Sequence, residues 1–368
     1  MRLCAIERVA HKWAPVMRHT TRSSKDLKGA SEKASGRSFA KTLHMVCLSI
    51  CLWLTSLTAM HAKPALVFEV ESDLILYSEE ADRLWHPASL TKLLTAYLVF
   101  EALKAKQITM ETDLVNSTTA RAQPPSKIGL PLNAKLKVKH AIEILMVKSA
   151  NDVAVMLAEG VGGSVDNFVK NMNATAKRLG MRSSKFYNPH GLPHQGQVTT
   201  ARDMGLLAKA LLRDFPEHNA IYGLASVKVG KRRMRSHNDL LRTYDGADGM
   251  KTGFICASGY NVVASATRGG RRIVAVVMGA RSGKARRKRA TELLNHGFST
   301  YWWKTLFPVN FQEVAVGTTV NKGPGNMRAK VCNYRPRKVR KRKMVRRKKS
   351  KTKAAKRTTK KKVANKKK

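Results

Sequence analysis

The feature that most constrains the fold is a helix-forming run, Leu90–Leu103, that is apolar on nearly every side. After Pro87 the chain reads ASLTKLLTAYLVFEAL, so leucine, valine and aromatic side chains cover the whole circumference of the helix. A helix of this kind is buried inside a protein. Ser89 and Lys92 nevertheless lie in its first turn, and a buried lysine at that place needs a chemical reason.

Strand patterns occur at both ends of the globular part, and helical patterns fill its middle. The segment ALVFEVESDLILYSEEADR has two β-rich runs around a polar turn, which predicts a hairpin. From Gly249 onward three further β-rich runs follow, and RGGR between the last two is a hairpin signal. The pattern predicts an α+β fold, an antiparallel sheet built from both chain ends and covered by helices, with an inserted helical subdomain.

Charge divides the chain further. Lys and Arg outnumber Asp and Glu 70 to 24, giving a net charge of +46. Between Arg335 and the C-terminus the sequence contains 21 basic residues in 34 and no acid. We predict a basic lead and signal peptide at 1–62 and a globular domain at 63–311. A short linker at 312–334 and a disordered Lys/Arg-rich tail at 335–368 follow.

The apolar run Leu43–Met60 follows basic residues and precedes the small Ala62. This layout is typical of a secretory signal peptide, so we expect export with cleavage near Ala62. An uncleaved N-terminal membrane anchor is the alternative, although the run is marginal for a spanning helix.

The cysteines do not predict a disulfide framework, and the histidines do not predict a metal site. If the leader is removed, Cys256 and Cys332 remain, and two distant cysteines do not predict a disulfide framework. His190, His194 and His237 lack a metal-ligand spacing, so they are interpreted as loop or structural residues. No metal or other cofactor is predicted.

Ser89 and Lys92 are three residues apart and share one helix face. Burial lowers the pKa of a lysine, and a neutral amine can take the proton of a serine hydroxyl. The helix start also offers free N–H groups to an oxyanion. The spacing alone is unspecific, since Ser38–Lys41 and Ser350–Lys353 match it in polar segments. The structural alternative is a capping serine beside a snorkelling lysine.

Two further short motifs follow in order. SAN, Ser149–Asn151, lies at the junction of two helical patterns, where helix capping is its structural alternative. KTG, Lys251–Gly253, opens a β-rich run, where an edge lysine with a turn glycine is the alternative. Together Ser-x-x-Lys, Ser-x-Asn and Lys-Thr-Gly form the motif set of penicillin-binding proteins and class A β-lactamases.

With these motifs in this order, the chain resembles the D-alanyl-D-alanine carboxypeptidase family of low-molecular-weight penicillin-binding proteins. Segments such as PASLTKLLTAYLVFEAL, SANDVAVMLAE, FYNPHGL and DGMKTGFICASGYNVVASATRGGRRIVAVVMGAR carry the likeness, roughly over 65–298. The resemblance implies a β-lactamase/transpeptidase-like fold and a periplasmic serine enzyme of peptidoglycan synthesis and cell shape. It would remove the terminal D-alanine from stem pentapeptides and be acylated by penicillins and other β-lactams.

The resemblance also implies the catalytic roles. Ser89 would be the nucleophile and acyl-ester site, Lys92 its general base, and Ser149 the relay of a proton to the leaving group. The backbone N–H groups of Ser89 and Phe254 would form the oxyanion hole.

It further implies the substrate contacts. Asn151 would hold the substrate amide, and Lys251 would place positive charge beside Ser149 and the substrate carboxylate. Thr252 and Arg286 would bind the terminal carboxylate. Arg286 competes with neighbouring arginines in RSGKARRKR.

The sequence departs from the family at Ile255, where members usually have Thr or Ser. No second β-rich domain or amphipathic C-terminal anchor is predicted after Phe311. A β-lactamase is disfavoured, because Glu159 and Glu217 lie in no water-activating motif of that family. A D,D-endopeptidase on the same site, or an inactive polyanion-binding envelope protein, stays open.

Two segments suggest partners beyond the substrate. The basic tail could bind anionic envelope polymers or lipid, whereas an exported protein would not meet chromosomal DNA. FSTYWWKTLF, with Trp302 and Trp303, fits a closing core helix better than an interfacial membrane segment. Association with the inner membrane or envelope is therefore left open.

Overall fold

The computed structural model describes residues 63–311 and 323–333, so the predicted signal peptide and the basic tail lie outside the described residues. The strands are β1 (Ala65–Glu69), β2 (Ile75–Glu79), β3 (Asp113–Val115), β4 (Lys135–Lys137), β5 (Ser226–Val229), β6 (Arg232–Arg235), β7 (Ala247–Ile255), β8 (Gly259–Arg268) and β9 (Arg271–Ala280). The helices are α1 (Thr91–Lys104), α2 (Thr118–Ala122), α3 (Val138–Val147), α4 (Asn151–Gly162), α5 (Val165–Arg178), α6 (Ala201–Asp214), α7 (Leu240–Thr243), α8 (Gly283–Lys304) and α9 (Arg328–Val331). Short 3₁₀ turns occupy Ala88–Leu90 and Pro216–Gly223.

The central sheet joins both ends of the domain, as the strand patterns predict. Its order is β2-β1-β9-β8-β7, and every neighbouring pair is antiparallel. The β8–β9 hairpin turns at Gly269 and Gly270, whose φ angles are +54° and +73°. A tight hairpin needs positive φ at both central positions, which explains the RGGR signal. The predicted α+β class is confirmed.

Alternate residues of each strand face opposite sides of the sheet, and each side packs against a different layer. Leu66 and Phe68 of β1 join the core beneath the helices of the middle of the chain. Ala65 and Val67 join a second core, which α8 covers through residues such as Leu294. This period of two, apolar on both faces, identifies a sheet buried between two layers.

Helix α1 is buried on all sides because α3, α4, α5 and α6 pack around it. Leu90, Leu93, Leu94 and Phe100 are all fully inaccessible to solvent. This layer is the predicted helical insertion between the strands. It places the start of α1 beside the edge strand β7.

Helix α8 begins at Gly283, well before the segment FSTYWWKTLF. Ser282 caps it by accepting the N–H of Ala285 at 3.1 Å, so RSGKARRKR forms the first turns of the helix. Ala290 and Leu293 pack on the sheet, and Phe298 and Tyr301 are partly buried against the same core, so the first part of FSTYWWKTLF belongs to the closing core helix. Its far end carries the exposed Trp302, at 69% of its accessible surface.

The last described segment, residues 323–333, packs on the domain; we call it the C-terminal strap. Its Met327 is buried, and the N–H of Met327 donates to the carbonyl of Ala257 at 2.7 Å. A disulfide joins Cys332 to Cys256, with 5.7 Å between the Cα atoms. The expectation that these cysteines build no framework is wrong, because the chain returns to the end of β7, which spacing alone does not show. Part of the predicted linker is thus packed structure.

Within the described residues, no helix combines the length and the apolar composition that a membrane crossing requires.

Candidate active site

The turn that carries Ser89 is held against the edge of the sheet. Gly253 of β7 packs so closely that a Cβ there would lie 3.0 Å from the carbonyl oxygen of Pro87 and 3.1 Å from the nitrogen of Ser89. Asn261 of β8 donates to the same Pro87 carbonyl at 3.3 Å. Ala88 has a φ of +50°, a conformation that L-residues rarely adopt and that is often retained at functional sites. The glycine of KTG therefore has a steric function.

Lys92 is fully buried one turn after Ser89, and its amine has three neighbours. Nζ lies 2.8 Å from Oδ1 of Asn151, 2.6 Å from the carbonyl oxygen of His190 and 3.3 Å from Oγ of Ser89. The first two are acceptors and need N–H donors. A neutral amine has two N–H bonds and one lone pair, so the lone pair is left for the Ser89 hydroxyl. This geometry suits a general base.

The electrostatic environment favours the neutral form of this amine. Burial lowers the pKa of Lys92 well below its ordinary value, and the positive charge of Lys251 lowers it further. Asp152 acts in the opposite direction and is the smaller influence. These surroundings thus supply the chemical reason that a lysine inside the apolar helix requires.

Ser149 and Lys251 form a second pair across the cleft. Nζ of Lys251 donates to Oγ of Ser149 at 2.8 Å and to the carbonyl oxygen of Thr252 at 3.0 Å. Burial, followed by the charge of Arg286, lowers the pKa of Lys251 to about 7. Ser149 has a φ of +60°, which turns the junction between α3 and α4 toward β7.

A cleft of about 520 Å³ opens above these residues. Thr252 and Arg286 line it, and Nη2 of Arg286 is fixed by the carbonyl oxygen of His237 at 2.7 Å. Burial lowers the pKa of Arg286 from its usual value. Phe254 also lines the cleft, where it is 42% exposed and stacks on Tyr260 with 4.4 Å between ring centroids. One end of the cleft is therefore cationic and suited to a carboxylate.

The predicted residues thus come together from the Ser89 turn, α1, the α3–α4 junction, α4, β7 and α8. Asn151 also makes contacts within the protein that the sequence did not predict. Its Oδ1 accepts from Lys92, and its Nδ2 donates to the carbonyl of Pro124 at 2.9 Å. Both atoms are engaged within the protein, so Asn151 orients the lysine as well as lining the cleft.

His190, interpreted as a loop residue, contributes more than its sequence suggests. Its backbone carbonyl accepts from Lys92, and the residue lines the cleft. Burial and the nearby Lys92 lower the pKa of its imidazole to about 3, so the ring is neutral. Gly191 has a φ of +87°, and a Cβ there would lie 1.8 Å from the carbonyl oxygen of Ala88. The HG pair in NPHGL is the signal that could have found this turn.

Asp152 is a second residue that sequence reasoning does not assign. Its carboxylate accepts the N–H groups of Ile128 at 3.0 Å, Gly129 at 2.9 Å and Val153 at 2.9 Å. These bonds fix the loop that contributes Pro125 to the wall of the cleft. An acid at a helix start is the available signal, although it ordinarily indicates only capping.

Within residues 63–311 and 323–333, no group of three His, Cys, Asp or Glu side chains is arranged to hold a metal ion.

The antiparallel sheet, the helical layer and the serine and buried lysine at the start of the central helix define the penicillin-binding, transpeptidase-like class of proteins. The family model for D-alanyl-D-alanine carboxypeptidase matches residues 54–282, more than half of the chain. The chain belongs to this family, and the resemblance stated from the motifs is confirmed.

Among curated relatives, D-alanyl-D-alanine carboxypeptidase DacC of Escherichia coli is 37% identical over 259 residues, which are 68% of this chain and 64% of the relative. The match thus spans just under two thirds of that relative's length. Penicillin binding protein 5 from Haemophilus influenzae has a solved structure at 35% identity and a TM-score of 0.63, covering 65% of this chain and 71% of that one. The ampicillin-bound form of penicillin-binding protein D2 from Listeria monocytogenes is 33% identical, with a TM-score of 0.57, covering 64% and 97%.

Proposed function

We propose that the protein is a serine-type D-Ala-D-Ala carboxypeptidase that removes the terminal D-alanine from peptidoglycan stem pentapeptides. The observation that carries the proposal is the buried amine of Lys92, whose two acceptors leave its lone pair for Oγ of Ser89. Membership of the family supplies the substrate class.

In the first step Oγ of Ser89 attacks the carbonyl carbon between the two D-alanines, and its proton passes to Nζ of Lys92. The carbonyl oxygen becomes an oxyanion and accepts the backbone N–H groups of Ser89 and Phe254. The close fit of Gly253 against the Ser89 nitrogen supports this arrangement, because it brings β7 to the nucleophile.

In the second step the C–N bond breaks, and D-alanine leaves. The proton taken by Lys92 reaches the leaving nitrogen through the hydroxyl of Ser149, which Lys251 holds at 2.8 Å. The acyl group remains on Ser89 as an ester. Lys92 is neutral again and takes a proton from the water whose oxygen attacks the ester carbon; the acyl C–Oγ bond then breaks, and Oγ of Ser89 takes this proton back from Lys92.

The cationic end of the cleft selects a free C-terminus. Thr252 and Arg286 bind the carboxylate of the terminal D-alanine, and Lys251 adds charge beside it. This feature favours a carboxypeptidase over the D,D-endopeptidase, whose leaving group continues into a second peptide. β-Lactams carry a carboxylate and a strained amide, and we propose that they acylate Ser89; the ampicillin-bound relative supports this.

The test is release of D-alanine from a soluble N-acylated tripeptide that ends in D-Ala-D-Ala. The same peptide with a C-terminal amide should lose about a hundredfold in kcat/KM, the usual effect of leaving a buried charge unpaired. Equal turnover of both peptides, or cleavage only of crosslinked muropeptides, would contradict the carboxypeptidase assignment and favour the endopeptidase.

We further propose that the enzyme works outside the cytoplasm, in the periplasm, as part of cell-wall remodelling and cell shape. The apolar run before Ala62 supports export. The Cys256–Cys332 disulfide supports it independently, because disulfides persist in oxidising compartments. Alkaline phosphatase fused after Ala62 should be active in cells if residues 1–62 direct export, and inactivity would contradict it.

A further inference from the structure

The proposed oxyanion hole takes its two backbone N–H groups from segments that are distant in sequence. Ser89 supplies one group from the turn before α1, and Phe254 supplies the other near the end of β7. Donors stabilise an oxyanion only when they lie about 2.7–3.1 Å from the position that it will occupy. The two segments must therefore be held at a fixed separation.

The C-terminal strap is bonded to the turn between β7 and β8. The N–H of Met327 donates to the carbonyl of Ala257 at 2.7 Å, and the disulfide joins Cys332 to Cys256. A Cβ on Gly259 would lie only 3.3 Å from Cγ of Met327, so the strap also packs closely on this turn. A hydrogen bond, a disulfide and a packing contact thus fix the turn to the strap.

This turn is continuous with the wall of the cleft. Ser258 in the turn is fully buried, and its Oγ accepts the N–H of Ile255 at 3.1 Å. Phe254 of β7 pairs with Tyr260 of β8, and both residues line the cleft. A displacement of the turn would therefore be transmitted to the backbone of Phe254.

The same strap is bonded to the segment that leads to Ser89. The N–H of Gly325 donates to the carbonyl of Leu84 at 3.1 Å. The next residue, Trp85, is buried, and a Cβ on Gly325 would collide with its ring. Nε1 of Trp85 donates to the carbonyl of Ser258 at 2.9 Å, so this ring joins the strap, the β7–β8 turn and the approach to Ser89.

We propose that the C-terminal strap is a positioning element of the oxyanion hole, which holds the N–H groups of Ser89 and Phe254 at the separation that acylation needs. The inference rests on the proposed function, which assigns these two groups to the oxyanion. None of the described residues 323–333 lines the cleft. The strap therefore acts through Leu84, Trp85 and the β7–β8 turn.

A strap that only stabilised the fold would have a different kinetic signature. Loss of stability lowers the fraction of folded molecules, and so lowers the amount of penicilloyl adduct, while each folded molecule still reacts at the wild-type rate. Displaced oxyanion donors slow the acylation of every folded molecule and leave the final adduct at one per molecule. The rate and the amount of adduct therefore separate positioning from stability.

The experiment compares Gly325→Ala with Gly323→Ala in the full chain. Both variants add one methyl group to the strap, but a Cβ at Gly325 collides with Trp85, whereas a Cβ at Gly323 meets open space. Cys256→Ser/Cys332→Ser removes the covalent tether and is the second test. Stopped-flow acylation over a range of penicillin concentrations gives the rate constant of acylation and the dissociation constant of the noncovalent complex.

We expect the acylation rate constant to fall by about tenfold in Gly325→Ala and in the cysteine variant, because small displacements of oxyanion donors are costly. The dissociation constant should stay at the wild-type value, because the oxyanion forms only in the reaction step. Gly323→Ala should match the wild type in both constants.

A second readout reports on the oxyanion hole itself. Sulfur in place of the scissile carbonyl oxygen of the soluble tripeptide is a weaker hydrogen-bond acceptor, so the wild type should prefer the oxygen peptide. The ratio of the two kcat/KM values does not depend on the fraction of folded molecules. We expect this ratio to fall in Gly325→Ala and to stay at the wild-type value in Gly323→Ala.

Equal acylation rate constants in Gly325→Ala and Gly323→Ala would overturn the proposal. A smaller amount of adduct formed at the wild-type rate would also overturn it and would assign the strap to stability alone. If Gly325→Ala does not fold, the cysteine variant decides by the same outcomes. If the wild type is acylated but releases no D-alanine from the soluble tripeptide, the proposed function fails, while the acylation rates still test the strap.

Discussion

At the residue scale, the site depends on two buried lysines whose hydrogen-bond partners differ. Nζ of Lys92 lies between two acceptors and Oγ of Ser89, and Lys251, whose pKa is lowered to about 7, holds Ser149. Both pKa values are lowered chiefly by burial. Because their partners differ, the two lysines have different chemical roles in the proposed mechanism.

Replacing Lys92 with Met tests the base. Met fills a similar volume in a fully buried position but has no lone pair for the serine proton. We expect acylation by penicillin to slow by about a thousandfold, with little change in thermal stability. Stopped-flow acylation rates check this, with the exposed Lys104→Met as control; a loss under about tenfold would argue against a base at this position.

The charge of Lys251 predicts a pH dependence of substrate binding. Its pKa is lowered to about 7, so the ammonium is present below that pH and is lost as pH rises through it. Because the substrate carboxylate needs this charge, KM for the peptide should rise between about pH 6 and pH 9. In Lys251→Arg, whose charge persists, KM should stay level over that range. A level KM in the wild type would contradict the role of Lys251.

At the scale of elements, the site exists because β7 approaches the start of α1 without a side chain between them. The nucleophile turn, the α3–α4 junction and β7 come from distant parts of the sequence, and the sheet and helical layer bring them together. At Gly253 a Cβ would lie 3.0 Å from the carbonyl oxygen of Pro87.

Gly253→Ala should impair catalysis more than folding. Its Cβ would require the Ser89 turn to move by a few tenths of an ångström, since the nearest atoms lie 3.0–3.1 Å away. We expect kcat/KM to fall by about a hundredfold, because small displacements of reacting groups are costly. Gly323→Ala, where a Cβ meets open space, should match the wild type. Equal activity of both variants would show that the contact is unimportant.

Much of this arrangement could be predicted from the sequence. Hairpin signals, helix caps and the all-apolar α1 identify the fold, because periodicity and turn chemistry are local. Ser89, Lys92 and Lys251 follow from motifs in order. The carbonyl of His190 could not be predicted, since a backbone acceptor leaves no residue-type signal. Asp152 shows the same limit, because its carboxylate acts on a loop distant in sequence.

At the scale of the whole molecule, the C-terminal strap packs on the domain that precedes it in the described chain. The C-terminal strap covers Trp85, whose ring would collide with any Cβ on Gly325, and the disulfide bridges 76 positions of sequence. No pattern in the sequence links Cys256 to Cys332, because their proximity depends on the path of the chain across the sheet.

The disulfide should contribute substantially to stability. Closing a loop of this length removes unfolded-chain entropy worth about 4 kcal/mol. We expect Cys256→Ser/Cys332→Ser to unfold at a temperature lower by roughly 8 °C, and reductant to lower the wild type similarly. Thermal melts of both proteins with and without reductant check this. A wild type insensitive to reductant would indicate that the cysteines are not bonded in solution.

The central claim is that Ser89 is the acylated nucleophile. The most direct measurement is mass spectrometry of the protein after brief exposure to penicillin, beside Ser89→Ala. We predict one penicilloyl adduct per molecule that maps to the peptide containing Ser89 and is absent from the variant. A folded wild type without an adduct, or an adduct that persists in Ser89→Ala, would contradict the account.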